Sequence, residues 1–316
     1  MAINNGKINK KVLFTNAGTT AAQNAIKYNL DKIAGIYGVD MDKFCYAKKI
    51  LKNRFYKVPA ILDWVNYKRE LLKICKRNKI DLIVPCSNDE ELLLLAKERR
   101  DFEEIGTGIL LPDYKAVKLA DDKVACNKYV SDLGVKIPEF YLADELPENP
   151  IFPLIMKNRR GGGSENMAII RDKKDMDYYR AKEGVIFQKF IQGPEYSVDI
   201  VLDNSSKIIA GVVRKRLAAK AGICTKAEIT KDKKLLGFAQ KIAKAMRLIG
   251  PANMQFINGY FIEINPRLPG GLGLDMKAGF NMALLAVKSF FNIPISKEEK
   301  QFKNIKVLRI WEEVII

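Results

Sequence analysis

Residues 251 to 273, PANMQFINGYFIEINPRLPGGLG, constrain the fold of this chain more than any other stretch. Two short strand-like runs, 252–257 and 260–264, are separated only by Asn258-Gly259. This dipeptide is typical of tight turns between antiparallel strands. The sequence therefore predicts a β-hairpin, and the prolines and glycines that follow it favour a fixed backbone.

Four polar side chains of this stretch suit a metal–phosphate group. Counting outward from the turn allows Gln255 and Glu263 to lie on neighbouring strands, and the two-residue period of a strand places Glu263 and Asn265 on one face. Carboxylate and amide oxygens suit Mg²⁺, which usually shares its shell with substrate phosphates, and Mn²⁺ is the alternative ion. Arg267 adds a planar fork that fits a phosphoryl group or a carboxylate. The alternative is an ordinary exposed hairpin whose polar residues face water.

The residue types that are missing narrow the chemistry. Histidine is absent from the 316 residues, which excludes mechanisms that need an imidazole base and excludes His-ligated metal sites. The five cysteines are widely spaced and form no C-x-x-C pattern, so we expect buried reduced thiols rather than a disulfide framework or a zinc site. Chemistry must therefore come from lysine, arginine, carboxylates, backbone amides and a hard metal ion.

The net charge of +17 raises the question of nucleic-acid binding. The 54 basic residues are scattered among 37 acidic ones and no recognised binding module accompanies them, so we do not expect a nucleic-acid partner. Attraction of anionic substrates is the simpler use of the charge. No apolar run reaches the roughly 18 residues of a membrane span, and the N-terminus lacks a signal-peptide pattern. We therefore expect a cytoplasmic protein with no membrane partner.

The pattern of the chain predicts three parts. Residues 1–111 alternate strand-like and helix-like segments, which is typical of a parallel α/β layer. The loop T-N-A-G-T-T at 15–20 lacks the spacing G-x-G-x-x-G, so we interpret it as a βα turn lining a substrate cleft rather than a dinucleotide site. Residues 112–187 begin with a helical stretch over 114–133 and a linker rich in Pro and acids, and 188–316 hold the remaining strands.

A second candidate phosphate site follows the apolar run FPLIMK, which ends on Lys157. Two arginines then lead into Gly161, Gly162, Gly163 and Ser164. Because glycine lets the backbone approach a ligand closely, the N–H groups of this loop suit phosphates. The P-loop spacing is missing, and the alternative is a polyglycine hairpin tip without a ligand.

The order of these elements resembles the ATP-grasp superfamily across nearly the whole chain. The resemblance rests on the strand that ends in lysine before a glycine-rich hairpin, on Q-K-F-I-Q-G-P-E-Y-S-V-D at 188–199, and on N-M-Q with E-I-N-P-R within 253–267. The chain is most similar to the synthetase module of the carbamoyl-phosphate synthetase large subunit. The resemblance implies an α/β and α+β fold: a Rossmann-like pre-ATP-grasp layer (1–111), then a lid subdomain with linker (112–187) and a metal- and substrate-binding subdomain (188–316), which clamp ATP.

The resemblance also implies a role for each candidate residue in nucleotide binding. Lys123 and Lys157 would contact the ATP phosphates beneath the lid at 161–164. Glu195 would hold the ribose hydroxyls. The adenine slot would be lined by Gln188, Lys189, Phe190 and Ile191. Main-chain groups of Lys189 and Ile191 would read the edge of the base.

For the metal and the reaction, the resemblance implies a second group of residues. Glu263 would bridge two magnesium ions, and Gln255 and Asn265 would complete the ligand set. Arg267 would neutralise the transferred phosphoryl group. Arg214 and Arg216, in the segment VVRKR, are further candidates for binding the acceptor carboxylate or the acyl phosphate.

The activity implied is that of an ATP- and Mg²⁺-dependent carboxylate–amine ligase. It would join a small-molecule carboxylate, amino-acid-like in character, to an amine through an acyl phosphate, and a homodimer is compatible with the resemblance. Neither step needs histidine, because phosphoryl transfer depends on positioning and charge neutralisation. The alternatives are phosphorylation of bicarbonate or carbamate and a non-catalytic nucleotide-binding subunit. The chain departs from many relatives at Gln188, where they carry Glu, and it has the length of one synthetase module rather than two.

Overall fold

Three β-sheets form the framework of the protein. The sheets follow one another along the sequence, so each one uses strands from a single continuous part of the chain. The computed structural model describes residues 3–4, 6–86, 89–162, 166–220 and 222–315.

The first sheet is parallel apart from its first strand. Its strands are β1 (Ile3–Asn4), β2 (Lys7–Phe14), β3 (Ile33–Asp40), β4 (Phe55–Lys57), β5 (Leu82–Val84) and β6 (Gly108–Ile109). They lie in the order β4-β3-β2-β5-β6, with β1 antiparallel to β2. The helices are α1 (Thr20–Lys27), α2 (Tyr46–Leu51), α3 (Trp64–Asn78), α4 (Asp89–Lys97) and α5 (Arg99–Glu103), with a 3₁₀ turn at Lys52–Arg54. Parallel strands end at one edge, so the turns after β2 and β5 lie side by side there.

Two helices lead from the first sheet to the second, which is antiparallel. The helices are α6 (Tyr114–Asp121) and α7 (Lys123–Asp132). The second sheet contains β7 (Phe140–Tyr141), β8 (Leu154–Asn158), β9 (Ala168–Ile170) and β10 (Val185–Lys189), and α8 (Lys173–Arg180) follows β9. The strand order is β7-β10-β8-β9, so β8 and β10 are the central strands.

The third sheet has six antiparallel strands. They are β11 (Glu195–Leu202), β12 (Ile208–Lys220), β13 (Ile223–Thr230), β14 (Gly250–Ile257), β15 (Tyr260–Asn265) and β16 (Ile305–Leu308). The strand order is β15-β14-β11-β12-β13-β16. The helices of this part are α9 (Lys233–Ala245), α10 (Leu272–Lys277) and α11 (Met282–Phe290), with a 3₁₀ turn at Glu298–Lys300.

One face of the third sheet packs against α6, α7 and α9. Alternate residues of β11, such as Val198 and Ile200, are fully buried there together with Val213 and Met254 of the neighbouring strands. Ile242 belongs to the stripe of α9 that covers them. Because side chains alternate along a strand, the residues between these positions belong to the opposite face. That face is available for polar groups.

The hairpin predicted from Asn258-Gly259 is confirmed. Both turn residues have positive φ, 50° for Asn258 and 81° for Gly259, as a two-residue type I′ turn requires. Regular pairing from the turn would place Gln255 opposite Ile262, but the register shifts between Gln255 and Phe256, so that Gln255 lies directly opposite Glu263. The predicted metal ligands are therefore on neighbouring strands, as expected, and an irregularity in the pairing sets their register.

The single helix predicted over 114–133 is wrong, because the structure contains two helices that meet at Asp122. Asp122 has an extended backbone, with φ −89° and ψ 100°, and it caps α7. Its Oδ1 accepts hydrogen bonds from the N–H groups of Val124 at 3.1 Å and Ala125 at 3.2 Å. An aspartate that satisfies free N–H groups in this way starts a new helix even where the apolar periodicity continues.

Three other expectations concern the cysteines, membrane-spanning helices and the limits of the domains. All five cysteines are buried and free, as predicted. In the described residues, no helix combines the length and the apolar character needed to cross a membrane. The three predicted domains stay a prediction, and β10 continues across the predicted limit between residues 187 and 188.

Candidate active site

The second face of the third sheet is polar where β15, β14, β11 and β12 run side by side. Directly opposed residues of antiparallel strands share a face. The first cross-strand row on this face consists of Glu263, Gln255, Ser197 and Arg214. The next row consists of Asn265, Asn253 and Asp199. The predicted metal ligands therefore belong to a larger polar surface that extends across four strands.

The three predicted metal ligands lie together at the hairpin. Asn265 Nδ2 donates to Glu263 Oε1 at 3.3 Å, and Gln255 is the cross-strand neighbour of Glu263. Within the described part of the chain, no group of three or more His, Cys, Asp or Glu side chains could hold a metal ion. A metal at the hairpin would thus depend on two amides and one carboxylate. This oxygen-only set fits Mg²⁺ that completes its shell with water and phosphate.

Lys157 lies on β8 of the second sheet, and its side chain is only 9% exposed. Burial is the main cause that lowers the pKa of Lys157; Glu263 opposes it and Lys123 adds to it, and the net result is a pKa that falls from 10.5 to about 8. Because Glu263 belongs to the third sheet and Lys157 to the second, the effect of Glu263 on the pKa of Lys157 indicates that Lys157 lies in the cleft between the two sheets. Among the salt bridges of the described residues, none involves Lys157. A buried ammonium group without an ion-pair partner suits a phosphate ligand.

Two adjacent carboxylates hold the start of the glycine loop against the junction of α6 and α7. Arg159 binds Asp122 through two hydrogen bonds, at 2.9 and 2.7 Å. Arg160 binds Asp121 and Asp122, each at 3.1 Å, and the N–H of Gly161 donates to Asp121 at 3.2 Å. Burial acts against ionisation of Asp122, but Arg159 outweighs it and keeps the pKa of Asp122 below its usual value. The loop base is therefore fixed by ion pairs.

Lys123 joins this junction to the candidate phosphate site. Its side chain is mostly buried, and its Nζ donates to the carbonyl oxygen of Gly161. Gly161 has a φ of 80°, a conformation that favours glycine, and Gly162 is half-buried. Lys123, Lys157 and the described loop glycines thus lie in one region, as predicted. The predicted lid residues Gly163 and Ser164 lie outside the described residues.

The predicted adenine slot begins at the end of β10. Gln188 is 2% exposed, and its Nε2 has no hydrogen-bond partner in the described residues. The N–H of Lys189 donates to Glu139 O at 2.8 Å, and that of Phe190 donates to the carbonyl before β8 at 3.1 Å. For the N–H of Ile191 no partner occurs among the described residues. A base contact by Lys189 would therefore use its carbonyl oxygen.

Glu195 and Arg216 form an ion pair on the polar face. Arg216 Nε lies 3.0 Å from Glu195 Oε1, and Arg216 Nη2 donates to Gly222 O at 2.9 Å. Burial raises the pKa of Glu195, Glu263 raises it further, and Arg216 opposes them. The predicted ribose-binding carboxylate is in the cleft, but Arg216 is engaged with it. The structure thus offers no support for an acceptor-binding role of Arg216.

Arg214 lies in a buried charge network rather than on a cleft surface. Its Nη1 lies 2.8 Å from Asp199 Oδ2 and 2.5 Å from Asp275 Oδ2, and all three side chains are at most 2% exposed. Burial acts against its charge, but the two carboxylates outweigh this and raise the pKa of Arg214. Asn253 Nδ2 donates to Asp199 Oδ1 at 2.5 Å. We therefore correct the prediction for Arg214, whose anionic partners are carboxylates of its own chain.

Arg267 lies where the third sheet meets the ends of the parallel strands. Its Nη2 donates to Asn265 Oδ1 at 3.3 Å and its Nη1 to Leu268 O at 3.1 Å. Burial and Glu91 raise the pKa of Cys86, which follows β5, and Arg267 opposes them. Arg267 therefore lies between the candidate metal ligands and the first sheet, as a residue that binds a transferred group should.

A buried carboxylate organises the turn after β2. Glu91 is fully buried and accepts hydrogen bonds from Thr15 Oγ1 at 2.9 Å, from Asn16 Nδ2 at 3.3 Å and from Tyr67 OH. Asn16 has a φ of 42°. These contacts hold the predicted substrate-cleft turn in one conformation. Residues 87–88, which come after β5 in the sequence, lie outside the described residues.

Sequence reasoning missed two sets of residues near the site. Asp121 and Asp122 lie within the predicted helical stretch 114–133, but their pairing with the arginines of the glycine loop is a long-range contact. Two acids before a helix and two arginines after a strand were the available signal. The second set is Arg309, just after β16, which donates to Gly270 O in the loop that follows Arg267. No comparable pattern of charged residues in the sequence marks Arg309.

Two family models match the chain. Residues 12–110 match the PylC-like N-terminal domain, and residues 181–313 match a model described as ATP-grasp in the biosynthetic pathway with Ter operon. Among curated proteins, the carbamoyl phosphate synthase large chain of Pseudothermotoga lettingae is 26% identical over 257 residues. This match covers 72% of the chain but only 23% of that relative. The chain is thus similar to a part of the larger protein.

Two solved structures share the fold. One is a biotin carboxylase complex with β,γ-ATP from Campylobacter jejuni, with a TM-score of 0.71 and 19% sequence identity. The match covers 93% of this chain and 73% of the biotin carboxylase chain. The L-amino acid ligase from Bacillus licheniformis has a TM-score of 0.68 at 15% identity, covering 93% and 78% respectively. These likenesses confirm the predicted fold class. Together with the family models, they show that the chain shares the ATP-grasp fold, with a match to an ATP-grasp model over 181–313 and to the PylC-like N-terminal domain over 12–110.

Proposed function

We propose that the protein is an ATP- and Mg²⁺-dependent carboxylate–amine ligase that acts on a small, amino-acid-like metabolite through an acyl phosphate. One observation carries the proposal: Lys157 of the second sheet is buried, has no ion-pair partner among the described residues, and lies close enough to Glu263 of the third sheet for Glu263 to affect its pKa. A cation and a metal-compatible carboxylate therefore face each other across one cleft. This arrangement fits a nucleotide triphosphate between the two sheets.

The residues of the cleft match the needs of this reaction. Joining a carboxylate to an amine in water is unfavourable, so a carboxylate oxygen first attacks the γ-phosphorus of ATP and ADP leaves. The amine then attacks the carbonyl carbon, and phosphate leaves. Lys123, Lys157 and Arg267 would position and neutralise the phosphates. Mg²⁺ held by Glu263 and its amide neighbours would supply further neutralisation of phosphate charge.

The relatives support the substrate class. One structural neighbour is named as an L-amino acid ligase, which favours an amino-acid-like carboxylate for this chain as well. The first sheet brings the turn after β2 and the residue Cys86 after β5 to the side of Arg267. The acceptor would therefore bind between the first and third sheets. A homodimer stays a prediction, which light scattering of the purified protein would test.

Release of ADP and phosphate, measured with panels of amino acids and amines, tests the proposal. We expect turnover that needs a carboxylate, an amine and Mg²⁺, and a loss of about 100-fold or more in the variant Glu263→Gln. The matched control is Glu228→Gln, which removes the same charge from the opposite face of the same sheet. Tight binding of Mg-ATP without stimulated turnover by any pair would contradict the proposal. Full biological activity of Glu263→Gln would favour a non-catalytic nucleotide-binding subunit.

A second candidate reaction is phosphorylation of bicarbonate or carbamate. The observation in its favour is the 26% identity to a carbamoyl phosphate synthase large chain. ADP release that depends on bicarbonate and not on any amino acid would support this reaction. It uses the same nucleotide site, so the same Glu263 variant would abolish it.

A further inference from the structure

Arg309 occupies the end of the third sheet that faces the first sheet. Its Nη2 donates to Gly270 O at 2.7 Å, and its N–H donates to Thr225 O at 2.8 Å. The hydroxyl of Thr20, at the start of α1, donates to the same Gly270 carbonyl at 3.3 Å. Arg309 therefore lies at the junction of β13, the loop before α10, and the beginning of α1.

Arg309 and Arg267 differ from Arg214 and Arg216 in having no salt bridge among the described residues, although all four have a buried N–H group without a hydrogen-bond partner there. Arg309 Nη1 and Arg267 Nε are buried and have no hydrogen-bond partner in the described residues. Within the same residues, neither guanidinium forms a salt bridge, in contrast to Arg214 and Arg216. Burial and the neighbouring Arg214 also lower the pKa of Arg309. Because a buried charge without a counter-ion is unfavourable, each position suits an anionic ligand.

The two arginines bind carbonyl groups of one short loop. Arg267 Nη1 binds the carbonyl of Leu268, and Arg309 Nη2 binds the carbonyl of Gly270. Carbonyls two residues apart are separated by at most roughly 7 Å. The two guanidinium groups are therefore within reach of one small molecule, but they contact different ends of the loop.

Acidic side chains of this region are bound to other groups, and Asp275, in the helix that follows the loop, is paired with Arg214. Asp40 accepts hydrogen bonds from the N–H of Gly18 at 2.7 Å and from that of Asp42 at 2.9 Å. Glu91 holds the turn after β2 through Thr15 and other donors. The arginines are thus the charged groups that remain to select a ligand at this end of the cleft.

We propose that Arg309 binds a second anionic group of the acceptor, so that the acceptor is an acid with at least two anionic groups. Arg267, beside Asn265, would take the carboxylate that is phosphorylated, and Arg309 would take the other anion. This inference rests on the proposed ligase function. The second anion is a carboxylate or a phosphate-like group, and both chemistries suit a guanidinium fork.

Binding measurements with matched probes test the inference without turnover. The probes are succinate and succinamate, which differ by one charge at nearly constant shape, and L-glutamate and L-glutamine as the amino-acid pair. 3-Phosphonopropionate separates a phosphate-like second anion from a carboxylate. Calorimetry is performed on the full chain with Mg²⁺ and a non-hydrolysable ATP analogue. We expect the best dianion to bind at least tenfold more tightly than its singly charged partner.

The variant Arg309→Gln should remove this preference and leave binding of the ATP analogue unchanged. Arg309→Lys should retain part of the preference, because it keeps the charge but loses the fork. The matched control Lys306→Gln removes an exposed charge from the same strand and should behave as the wild type.

Three outcomes would overturn the inference. They are equal binding of both members of each probe pair by the wild type, equal weakening of both members in Arg309→Gln, and no binding of any dianion to the nucleotide-loaded wild type. The second outcome would place Arg309 on the anion common to all acceptors. Failure of the wild type to bind the ATP analogue would instead contradict the proposed function.

Discussion

Replacing Lys157 by Met should stabilise the ligand-free protein while removing its predicted phosphate contact. The Lys157 side chain is 9% exposed, and its pKa falls from 10.5 to about 8 because of burial. At roughly 1.4 kcal/mol per pKa unit, keeping this lysine charged in the folded state costs about 3 kcal/mol at neutral pH. Methionine has a similar length, no charge and a flexible chain that fills such a site.

The effect should depend on pH in a defined direction. The folded-state pKa of Lys157, about 8, lies below the unfolded value of 10.5, so the unfolded chain binds more protons between these pH values. The cost is complete below about pH 8, decreases as the pH rises and vanishes above about pH 10.5. The stability advantage of Lys157→Met should decrease over the same range.

Urea unfolding at pH 7 and pH 10, followed by circular dichroism, measures this difference. Hydrogen exchange then shows whether the stability difference is located in β8, where a gain of about 3 kcal/mol would slow amide exchange by roughly 100-fold. The control Lys174→Met, on exposed α8, should change stability by less than about 0.5 kcal/mol. The reasoning would be refuted if Lys157→Met were less stable than the wild type at pH 7. It would also be refuted if the gain in free energy of unfolding were the same at both pH values.

Other perturbations have equally definite outcomes. Arg214→Met should lower the free energy of unfolding by about 3–5 kcal/mol in urea titrations, because two fully buried carboxylates lose their cation. Asp122→Asn should increase trypsin cleavage after Arg159 and Arg160 several-fold in limited digests, because their ion pairs are weakened. Calorimetry should show the affinity of the wild type for Mg-ATP falling by up to tenfold per unit above about pH 8 as Lys157 loses its proton, while Lys157→Arg, which stays charged, should not show this loss.

Local signals in the sequence were sufficient for the hairpin but not for the register of its ligands. Asn258 and Gly259 are residue types that accept positive φ at low cost, and their two-residue turn pairs Ile257 with Tyr260. Regular pairing from there would place Gln255 opposite Ile262, and the register shift that brings Glu263 there instead is visible only in the structure. The parallel first sheet was predictable for a similar reason, because buried parallel strands alternate with helices along the sequence.

Long-range pairing was beyond the sequence patterns. The break at Asp122 depends on its contact with Arg159, 37 residues away, as well as on its capping of α7. Nothing in the local apolar period distinguishes an aspartate on a helix surface from one that starts a new helix. Arg214 was misjudged for the same reason, because its partner Asp275 is 61 residues away.

The role of an arginine in this cleft follows from its counter-ions rather than from its place in a motif. Arg214 faces two carboxylates, and burial and Asp199 raise the pKa of Asp275 well above its usual value while Arg214 opposes them. Both carboxylates contact the guanidinium directly, so Arg214 has its anionic partners without a ligand. Arg267 and Arg309 have no carboxylate partner within the described residues, and each has a buried N–H group without an acceptor. An anionic ligand would supply what these two positions lack, whereas at Arg214 it would have to displace a partner that is already bound.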